Sequence, residues 1–246
     1  MNPILWFEFP GCARGSAPAA GLTLAAAGPM KIVRDGENRS RVFTSLGIDP
    51  GAVISATQIH SRVVHAVESA ASWSGHPEGD GVVTRNASLV PCVTVADCMP
   101  VYLYDPVSLC FGVLHSGWRG TGIIGTALDL ACAEWGSRPE DFRVILGPHI
   151  RDCCYTVDSE RAGYFAREFG PSCVSADPGR TAAGDPWPWR LSLAEANRQL
   201  CLSLGIPDAH ILDTGLCTAC NPEFGSNRRQ GAASFTHMAA FLRAIH

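Results

Sequence analysis

Three residues of the chain, His60, Cys98 and His115, could together bind a transition-metal ion. Each lies in a turn-forming or strand-ending context: His60 follows a strand-like run that begins at Val53, Cys98 precedes Met99-Pro100, and His115 ends an apolar run. Two imidazoles and one thiolate suit zinc, and three protein ligands leave a fourth coordination position for water or substrate. If the three side chains converge, they predict a catalytic zinc site rather than a structural one.

The segments around Cys98 and His115 add groups that could position a substrate. Asp97 is a candidate catalytic residue that could orient a histidine or hold a substrate hydroxyl, although an aspartate at a turn more often caps local backbone. After His115, a glycine-bearing turn leads into a predicted helix, and the free N–H groups and dipole of a helix start favour an anion. Gly117 and Arg119 in that turn are therefore candidates for binding phosphate or carboxylate.

The other histidines and cysteines leave alternatives open. His65 and His76 lie close to the first predicted ligand, and the sequence alone does not decide which imidazole binds. Cys217 and Cys220 have the spacing of half a zinc knuckle, but no second pair at a suitable spacing accompanies them, so structural zinc is not favoured. Cys153-Cys154 is interpreted as a pair of packed thiols, with a role in the wall of a site as the alternative. The chain has 11 cysteines, an odd number, and a disulfide framework is not expected.

Composition limits the class of protein. A chain of 246 residues with 46% hydrophobic and 17% charged residues can bury a large core, and we expect residues 1–246 to form a single domain. The net charge of −4 gives no electrostatic footprint for nucleic acid, so we expect a small-molecule substrate. No apolar run approaches the ~18 residues of a membrane span, and no secretory signal is visible, which predicts a cytoplasmic protein. Oligomeric state is not predicted.

Apolar patterning predicts the elements that must position these side chains. Strands are expected over residues 81–84, 89–96, 101–104, 109–114 and 142–146, and helices over 38–43, 120–135, 158–169, 192–204 and 236–245. Asp105-Pro106 predicts a turn joining two strands into an antiparallel hairpin, Ser192 and Thr236 are candidate helix caps, and residues 177–189 are expected to form a loop. Strands and helices interleave without a regular βαβ cadence, which favours an α+β fold over a doubly wound sheet.

Short segments, in order from about residue 38 to the C-terminus, carry a family resemblance. They are Gln58-Ile59-His60, Asp80-Gly81, Ala96-Asp97-Cys98-Met99-Pro100, His115-Ser116-Gly117-Trp118-Arg119-Gly120, Gly147-Pro148-His149-Ile150 with Cys153-Cys154-Tyr155, and Cys217-Thr218-Ala219-Cys220 with Ser226 and Arg228-Arg229. These segments resemble the bacterial laccase-domain family, also called multicopper polyphenol oxidase, purine nucleoside phosphorylase-like protein or peptidoglycan editing factor.

The resemblance implies a fold, a metal and a set of reactions. It implies a single layered α/β/β/α domain with mixed sheets and a zinc held by His60, Cys98 and His115. It also implies phosphorolysis of purine nucleosides, including methylthioadenosine, and hydrolytic deamination of adenosine. Phosphate is then expected near the turn at residues 117–120, where Arg119 and either Arg39 or Arg228 would pair with it.

Two other chemistries compete with this hypothesis. The fold also resembles the catalytic domain of glutamine-deamidating toxins, which suggests a metal-free hydrolase in which Cys98 is the nucleophile and His115 the base, acting on an amide such as a peptidoglycan precursor. Copper remains a less favoured metal. An oxidase that reduces oxygen needs several coppers held largely by histidines, commonly as His-x-His pairs, and this chain has eight histidines and no such pair.

Overall fold

The computed structural model describes residues 3–73 and 75–244, which form layered helices and sheets. The helices in this part of the chain are α1 (Gly36–Ser45), α2 (Ile123–Trp135), α3 (Ser159–Phe169), α4 (Pro178–Ala182), α5 (Leu193–Ser203) and α6 (Asn227–Gln230). The strands are β1 (Ile4–Phe7), β2 (Ala19–Thr23), β3 (Val53–Ile54), β4 (Val64–Ala66), β5 (Gly81–Thr84), β6 (Val90–Val95), β7 (Met99–Tyr104), β8 (Phe111–Ser116), β9 (Arg143–Leu146), β10 (Thr156–Val157), β11 (Val174–Ala176), β12 (Trp189–Leu191), β13 (Ile211–Asp213) and β14 (Met238–Arg243).

The strands form two large mixed sheets and one small antiparallel sheet. The first large sheet has the order β1-β2-β14-β6-β3, the second has the order β13-β9-β7-β8-β5-β4, and the small sheet has the order β10-β12-β11. Within residues 3–73 and 75–244, three strand pairs are parallel, β3 with β6, β4 with β5 and β13 with β9, and the other strand pairs are antiparallel. The predicted hairpin is confirmed as β7 and β8, in which Val101 lies opposite Leu114.

Helices cover the outer faces of the two large sheets. Between the sheets, Leu22 and Val93 of the first sheet share a core with Tyr102 of the second. On one outside, Phe43 of α1 packs edge-on against Phe241, with ring centroids 5.3 Å apart. On the other outside, α2 and α5 pack on the second sheet in the largest buried cluster. The predicted α+β class and the α/β/β/α layering are therefore confirmed, and the central strands read as continuous apolar runs because both of their faces are buried.

The helix predicted over residues 236–245 is wrong. Residues Met238–Arg243 form β14, which lies between β2 and β6 in the first sheet; Ile245 lies outside the described residues. The run contains good helix formers and is apolar at nearly every position, because alternate side chains enter two different cores: Met238 lies between the sheets and Phe241 lies under α1. Such a run has no period that separates a buried strand from a buried helix.

Two smaller expectations also need correction. The loop expected over residues 177–189 contains the short helix α4, which begins where the Asp177 side chain accepts a hydrogen bond from the backbone N–H of Arg180. The helix expected from residue 120 begins at Ile123, after Gly122 in a left-handed conformation with φ of 108°. The cap at Ser192 is confirmed by the bond from Glu195 N–H to its hydroxyl.

Among the described residues, no helix combines the length and apolar character needed to cross a membrane.

Candidate metal centre

The structure brings His60, Cys98 and His115 together where strands β7 and β8 meet. Cys98 directly precedes β7, and His115 lies near the end of β8, opposite Pro100. His60 comes from the loop between β3 and β4. The candidate ligand atoms of the three side chains all lie within 4.8 Å of one another, and the two imidazole centroids are 4.9 Å apart. We call these three residues the His-Cys-His trio.

A buried carboxylate, Asp80, positions both histidines. Its Oδ1 accepts a hydrogen bond from Nδ1 of His115 at 2.8 Å, which leaves Nε2 of that ring as the ligand atom. The backbone N–H groups of Ile59, His60 and Ser61 donate to the same carboxylate at 3.2, 3.1 and 2.6 Å. These bonds hold His60 in a left-handed conformation, with φ of 58°, that residues other than glycine rarely adopt. Sequence reasoning assigned Asp80 no role, because a lone aspartate before a strand carries no signal of what it will contact.

Asp97, predicted to orient a histidine or to hold a substrate hydroxyl, makes two hydrogen bonds to the C-terminal part of the chain. Its Oδ1 accepts from the Thr218 hydroxyl and its Oδ2 from the backbone N–H of Arg228, both at 2.7 Å. The carboxylate thus ties the turn before Cys98 to the C-terminal part of the chain, and Asp97 also lines the cavity described below. Orientation of a histidine falls to Asp80 and not to Asp97.

Without a metal, the trio holds a thiolate beside an imidazolium. Burial alone would raise the pKa of the Cys98 thiol, but the imidazoles of His115 and His60 lower it to about 6. Burial would lower the pKa of His115, but the Cys98 sulfur and the Asp80 carboxylate raise it to about 9. The sulfur is therefore available near neutral pH as the thiolate, which is the form that binds metals and attacks electrophiles.

The residues present fit a zinc ion. Two nitrogen donors and one thiolate, with one imidazole braced by a carboxylate, form a common donor set with the usual outer support. Gly117 provides the room beside them: a Cβ at this position would lie 2.6 Å from the Cys98 sulfur and 3.9 Å from Nδ1 of His60. A side chain here would force the sulfur away from the two imidazoles, which explains why a glycine follows His115-Ser116.

Two cavities open on the trio. The larger has a volume of about 330 Å³, near the lower end of the range for small-molecule sites. Its walls include Gly117, Tyr155, Phe235 and His237. The second, of about 290 Å³, is bounded by the trio residues His60 and Cys98 together with Trp118, Arg119, Tyr155 and Arg161. We call the first the aromatic cavity, for Tyr155, Phe235 and His237, although Lys31 and Arg228 also line it. We call the second the cationic cavity, for Arg119 and Arg161, which lie there beside the rings of Trp118 and Tyr155. The trio lies between the two.

The structure separates the three arginines predicted to bind phosphate. Arg119 lines the cationic cavity, with its guanidinium 5.1 Å from the Trp118 ring centroid. Arg228 lines the aromatic cavity, but its guanidinium already donates to the Cys154 carbonyl at 2.7 Å. Arg39 is not brought to the site: it is buried beside α1 and donates to the Met30 carbonyl and the Ser55 hydroxyl.

Arg161 is a candidate anion-binding residue that sequence reasoning missed. It lies in the first turn of α3, and its guanidinium carbon lies 3.7 Å from the Trp118 ring centroid. Its Nε is buried and has no hydrogen-bond partner within residues 3–73 and 75–244. The helix was predicted, but nothing in the sequence indicated that its first turn would contact the segment after His115.

Comparison with known proteins agrees with this geometry. Residues 29–244 match the sequence family described as multi-copper polyphenol oxidoreductase laccase. Purine nucleoside phosphorylase YlmD of Geobacillus stearothermophilus is 30% identical over 214 residues, which are 83% of this chain and 77% of that protein. Adenosine deaminase RL5, from an unknown prokaryotic organism, is 29% identical over 209 residues, 80% of this chain and 77% of that protein. The crystal structure of YlmD from Geobacillus stearothermophilus superposes with a TM-score of 0.83 at 27% identity, covering 96% of this chain and 95% of that chain. This chain belongs to the multi-copper polyphenol oxidoreductase laccase family.

Proposed function

We propose that this protein is a zinc-dependent purine nucleoside phosphorylase. The observation that carries the proposal is the His-Cys-His trio placed between an aromatic cavity and a cationic one. That arrangement suits a substrate with a flat heterocycle on one side and an anionic co-substrate on the other. The similarity to a purine nucleoside phosphorylase and to an adenosine deaminase supports the same substrate class.

The aromatic cavity offers contacts for a purine base. The rings of Phe235 and His237 contact each other at a tilt of 41° with centroids 4.4 Å apart, and Tyr155 lines the same space. Burial, together with the charges of Lys31 and Arg34, lowers the pKa of His237 to about 4, so the ring is neutral at pH 7. Its buried Nδ1 has no partner in the described part of the chain, which leaves it free to hydrogen-bond a base edge.

The cationic cavity holds the phosphate in this proposal. Arg119 and Arg161 would pair with phosphate oxygens and direct one of them at the anomeric carbon of the ribose. The new carbon–oxygen bond forms as the glycosidic carbon–nitrogen bond breaks, and the departing purine takes up a proton. Zinc bound by His60, Cys98 and His115 would supply Lewis-acid polarisation of a substrate oxygen or of a water molecule.

The same cavities accommodate the two side activities. Methylthioadenosine presents the same base and sugar to the same walls, with a thioether in place of the 5′ hydroxyl. Deamination of adenosine requires water to attack the amino-bearing carbon of the base and ammonia to leave. We therefore include methylthioadenosine phosphorolysis and adenosine deamination in the proposed function.

Phosphate-dependent release of hypoxanthine from inosine tests the proposal. His60→Ala and Cys98→Ala are expected to abolish the release and to lower the zinc content by about one ion per chain. The matched controls His65→Ala and Cys132→Ala change a histidine and a cysteine outside the trio and should retain both. Full activity in both trio variants would remove the metal centre from the mechanism. Copper measured in the same samples decides the identity of the metal.

One observation favours a second candidate, a metal-free cysteine amidase. Asp80, His115 and Cys98 form a chain in which the carboxylate orients the imidazole and the imidazole stabilises the thiolate. This is the arrangement of a cysteine nucleophile with its base. If this candidate is right, the protein cleaves a peptidoglycan-type amide after complete metal removal, and alkylation of Cys98 abolishes that cleavage. Amidase activity that is absent in metal-free protein argues against it.

A further inference from the structure

Four cysteines outside the His-Cys-His trio meet at one point of the surface. Cys153 and Cys154 lie between β9 and β10, whereas Cys217 and Cys220 lie between β13 and α6. Their four sulfur atoms all lie within 4.8 Å of one another. We call these four residues the cysteine cluster. The adjacent pair is the partner that the half zinc knuckle lacked in the sequence.

Three of the six separations between the sulfur atoms lie near the edge length of a coordination tetrahedron, and those that involve Cys217 are within 4.8 Å. The sulfur of Cys220 lies 3.6 Å from that of Cys153 and 3.3 Å from that of Cys154, and the sulfurs of the adjacent pair are 3.8 Å apart. Four thiolates at a zinc–sulfur distance of about 2.3 Å stand about 3.8 Å apart. A disulfide needs a separation of about 2.05 Å, and each cluster cysteine is free in the structure.

Packing of apolar thiols does not explain this arrangement. Cys153 and Cys220 are exposed, and the other two are only half-buried, whereas structural free cysteines are usually fully buried. Four thiols that meet at one point while remaining partly accessible fit the ligand shell of a metal ion.

Arginine side chains fix the backbone of both cysteine-bearing segments. Arg190 donates to the Cys153 carbonyl at 3.0 Å, and Arg228 donates to the Cys154 carbonyl at 2.7 Å. Arg229 donates to the carbonyls of Thr218 and Ala219, inside the Cys-x-x-Cys turn. Because the two backbones are held from outside, the sulfur atoms are pre-positioned rather than gathered by flexible loops.

The cluster is also connected to the active cavity. Thr218, within the Cys-x-x-Cys turn, donates a hydrogen bond from its hydroxyl to the carboxylate of Asp97, the residue before Cys98. Tyr155, directly after the adjacent pair, lines both cavities of the candidate site. An ion that joins the two cysteine segments would therefore fix the wall of the cavity and the turn that carries the Cys98 ligand.

We propose that Cys153, Cys154, Cys217 and Cys220 bind one zinc ion in a closed four-thiolate site, separate from the His-Cys-His trio. Four protein ligands fill the tetrahedral shell and leave no position for water or substrate, so the ion is structural. It joins residues 147–155 to residues 213–225, which are otherwise connected by hydrogen bonds such as that from Thr218 N–H to the His149 carbonyl and by the ion pair of Arg151 with Asp213. The protein would then carry two zinc ions of different function.

Zinc content in a chain that lacks the trio tests this site independently of the proposed function. The full-length variant His60→Ala/Cys98→Ala, purified with a reductant and without added metal, is expected to retain about one zinc per chain. Adding Cys217→Ser and Cys220→Ser should remove that zinc and lower the thermal midpoint. A control double variant, Cys12→Ser/Cys132→Ser, likewise changes two cysteines that are not fully buried, but these lie outside the cluster, and the variant should keep the zinc.

Cobalt substitution reports the ligands directly. Co²⁺ bound to the variant that lacks the trio is expected to show intense sulfur-to-metal charge-transfer bands and the visible bands of tetrahedral cobalt. If the double serine variant does not fold, the single change Cys153→Ser removes one exposed sulfur, and the charge-transfer intensity should fall by about a quarter. Circular dichroism checks that this variant is folded.

Three results would overturn the proposal. Zinc that stays at the same level after the change of Cys217 and Cys220 would place the ion elsewhere. Absence of zinc, with four cluster thiols that alkylate freely, would leave an unoccupied surface cluster. A disulfide within the cluster of freshly isolated protein, found by mass spectrometry of alkylated peptides, would assign it to oxidation by an external oxidant and not to metal binding.

Discussion

At the scale of single residues, one buried carboxylate organises the candidate centre. Asp80 accepts hydrogen bonds from three consecutive backbone N–H groups, from the Ser61 hydroxyl and from the imidazole of His115. Burial would raise the pKa of this carboxyl, but the bonds from His115 and Ser61 lower it to about 2. The group is therefore a carboxylate at neutral pH, and it fixes the tautomer of one ligand and the backbone of the other.

Asp80→Asn should weaken metal binding at the trio. The asparagine amide has an NH2 group in place of one carboxylate oxygen. This group cannot accept hydrogen bonds from the backbone N–H groups, and the negative charge next to the His115 imidazole is lost. Loss of such an outer partner costs about 10–100-fold in metal affinity. Competition for zinc against a chromophoric chelator measures the loss of affinity. Because a second zinc site is proposed, the same titration of His60→Ala shows which binding step belongs to the trio.

Asp105→Asn is the matched control for this change. Asp105 is also a fully buried aspartate, but it accepts hydrogen bonds from Val107 and Ser108 in the turn between β7 and β8. Its substitution should lower the thermal midpoint and leave zinc affinity at the trio unchanged. Equal zinc affinity in Asp80→Asn and the unmodified chain would show that the carboxylate does not support the metal.

At the scale of elements, the sequence predicted those helices and strands whose conformation depends on nearby residues. The β7–β8 hairpin followed from two apolar runs around Asp105-Pro106, and α5 followed from its spacing and the Ser192 cap. The prediction for residues 236–245 failed because β14 is buried on both faces, so its neighbours and not its periodicity decide its conformation. Arg161 was missed for a related reason. The sequence predicted the helix α3 but gave no indication of which distant residues its first turn would contact.

Arg161→Gln should raise the KM for phosphate. The helix α3 places this guanidinium against Trp118 and beside Arg119, in the cavity assigned to phosphate. Loss of one charge-assisted hydrogen bond costs about 1.5–3 kcal/mol, which corresponds to at least about a tenfold rise in KM. Zinc content and the KM for inosine should change little, because this residue is neither a metal ligand nor part of the aromatic cavity.

Arg138→Gln provides the control, since this exposed arginine pairs with Asp141 away from both cavities. Steady-state phosphorolysis at varied phosphate and saturating inosine measures the effect. An unchanged KM for phosphate in Arg161→Gln would assign the arginine to packing on Trp118 alone.

At the scale of the whole molecule, the centre is built from segments that are far apart along the chain. The types of the trio residues could be read from the sequence because two histidines and a cysteine after strand-like runs are a recognisable donor set. The cysteine cluster could not, because its halves are separated by more than sixty residues, and long-range contacts that include the pairing of β9 with β13 bring them together. Residue types predict which chemistry is available, whereas the long-range packing decides which groups share a site.

That long-range packing also buries a histidine whose titration should control stability in acid. His149 is fully buried between the two cysteine-bearing segments; its Nδ1–H donates to the Gly147 carbonyl at 2.8 Å, and its Nε2 has no partner within the described ranges. Burial lowers the pKa of this imidazole to about 4. The histidine of the unfolded chain binds a proton near pH 6.5, so protonation of this residue does not reduce the free energy of unfolding above that pH. It falls as the pH decreases towards 4, by at most about 3 kcal/mol from this residue.

His149→Asn isolates that contribution. Asparagine can still donate to the Gly147 carbonyl but cannot bind a proton, so the variant should lose less stability than the unmodified chain between pH 7 and pH 4. The smaller side chain lowers stability at every pH, and the informative quantity is therefore the difference between the two pH slopes. Urea unfolding at pH 7, 6, 5 and 4 measures both slopes. Parallel curves would contradict the prediction, because they would mean that folded His149 takes up its proton at the same pH as the unfolded chain.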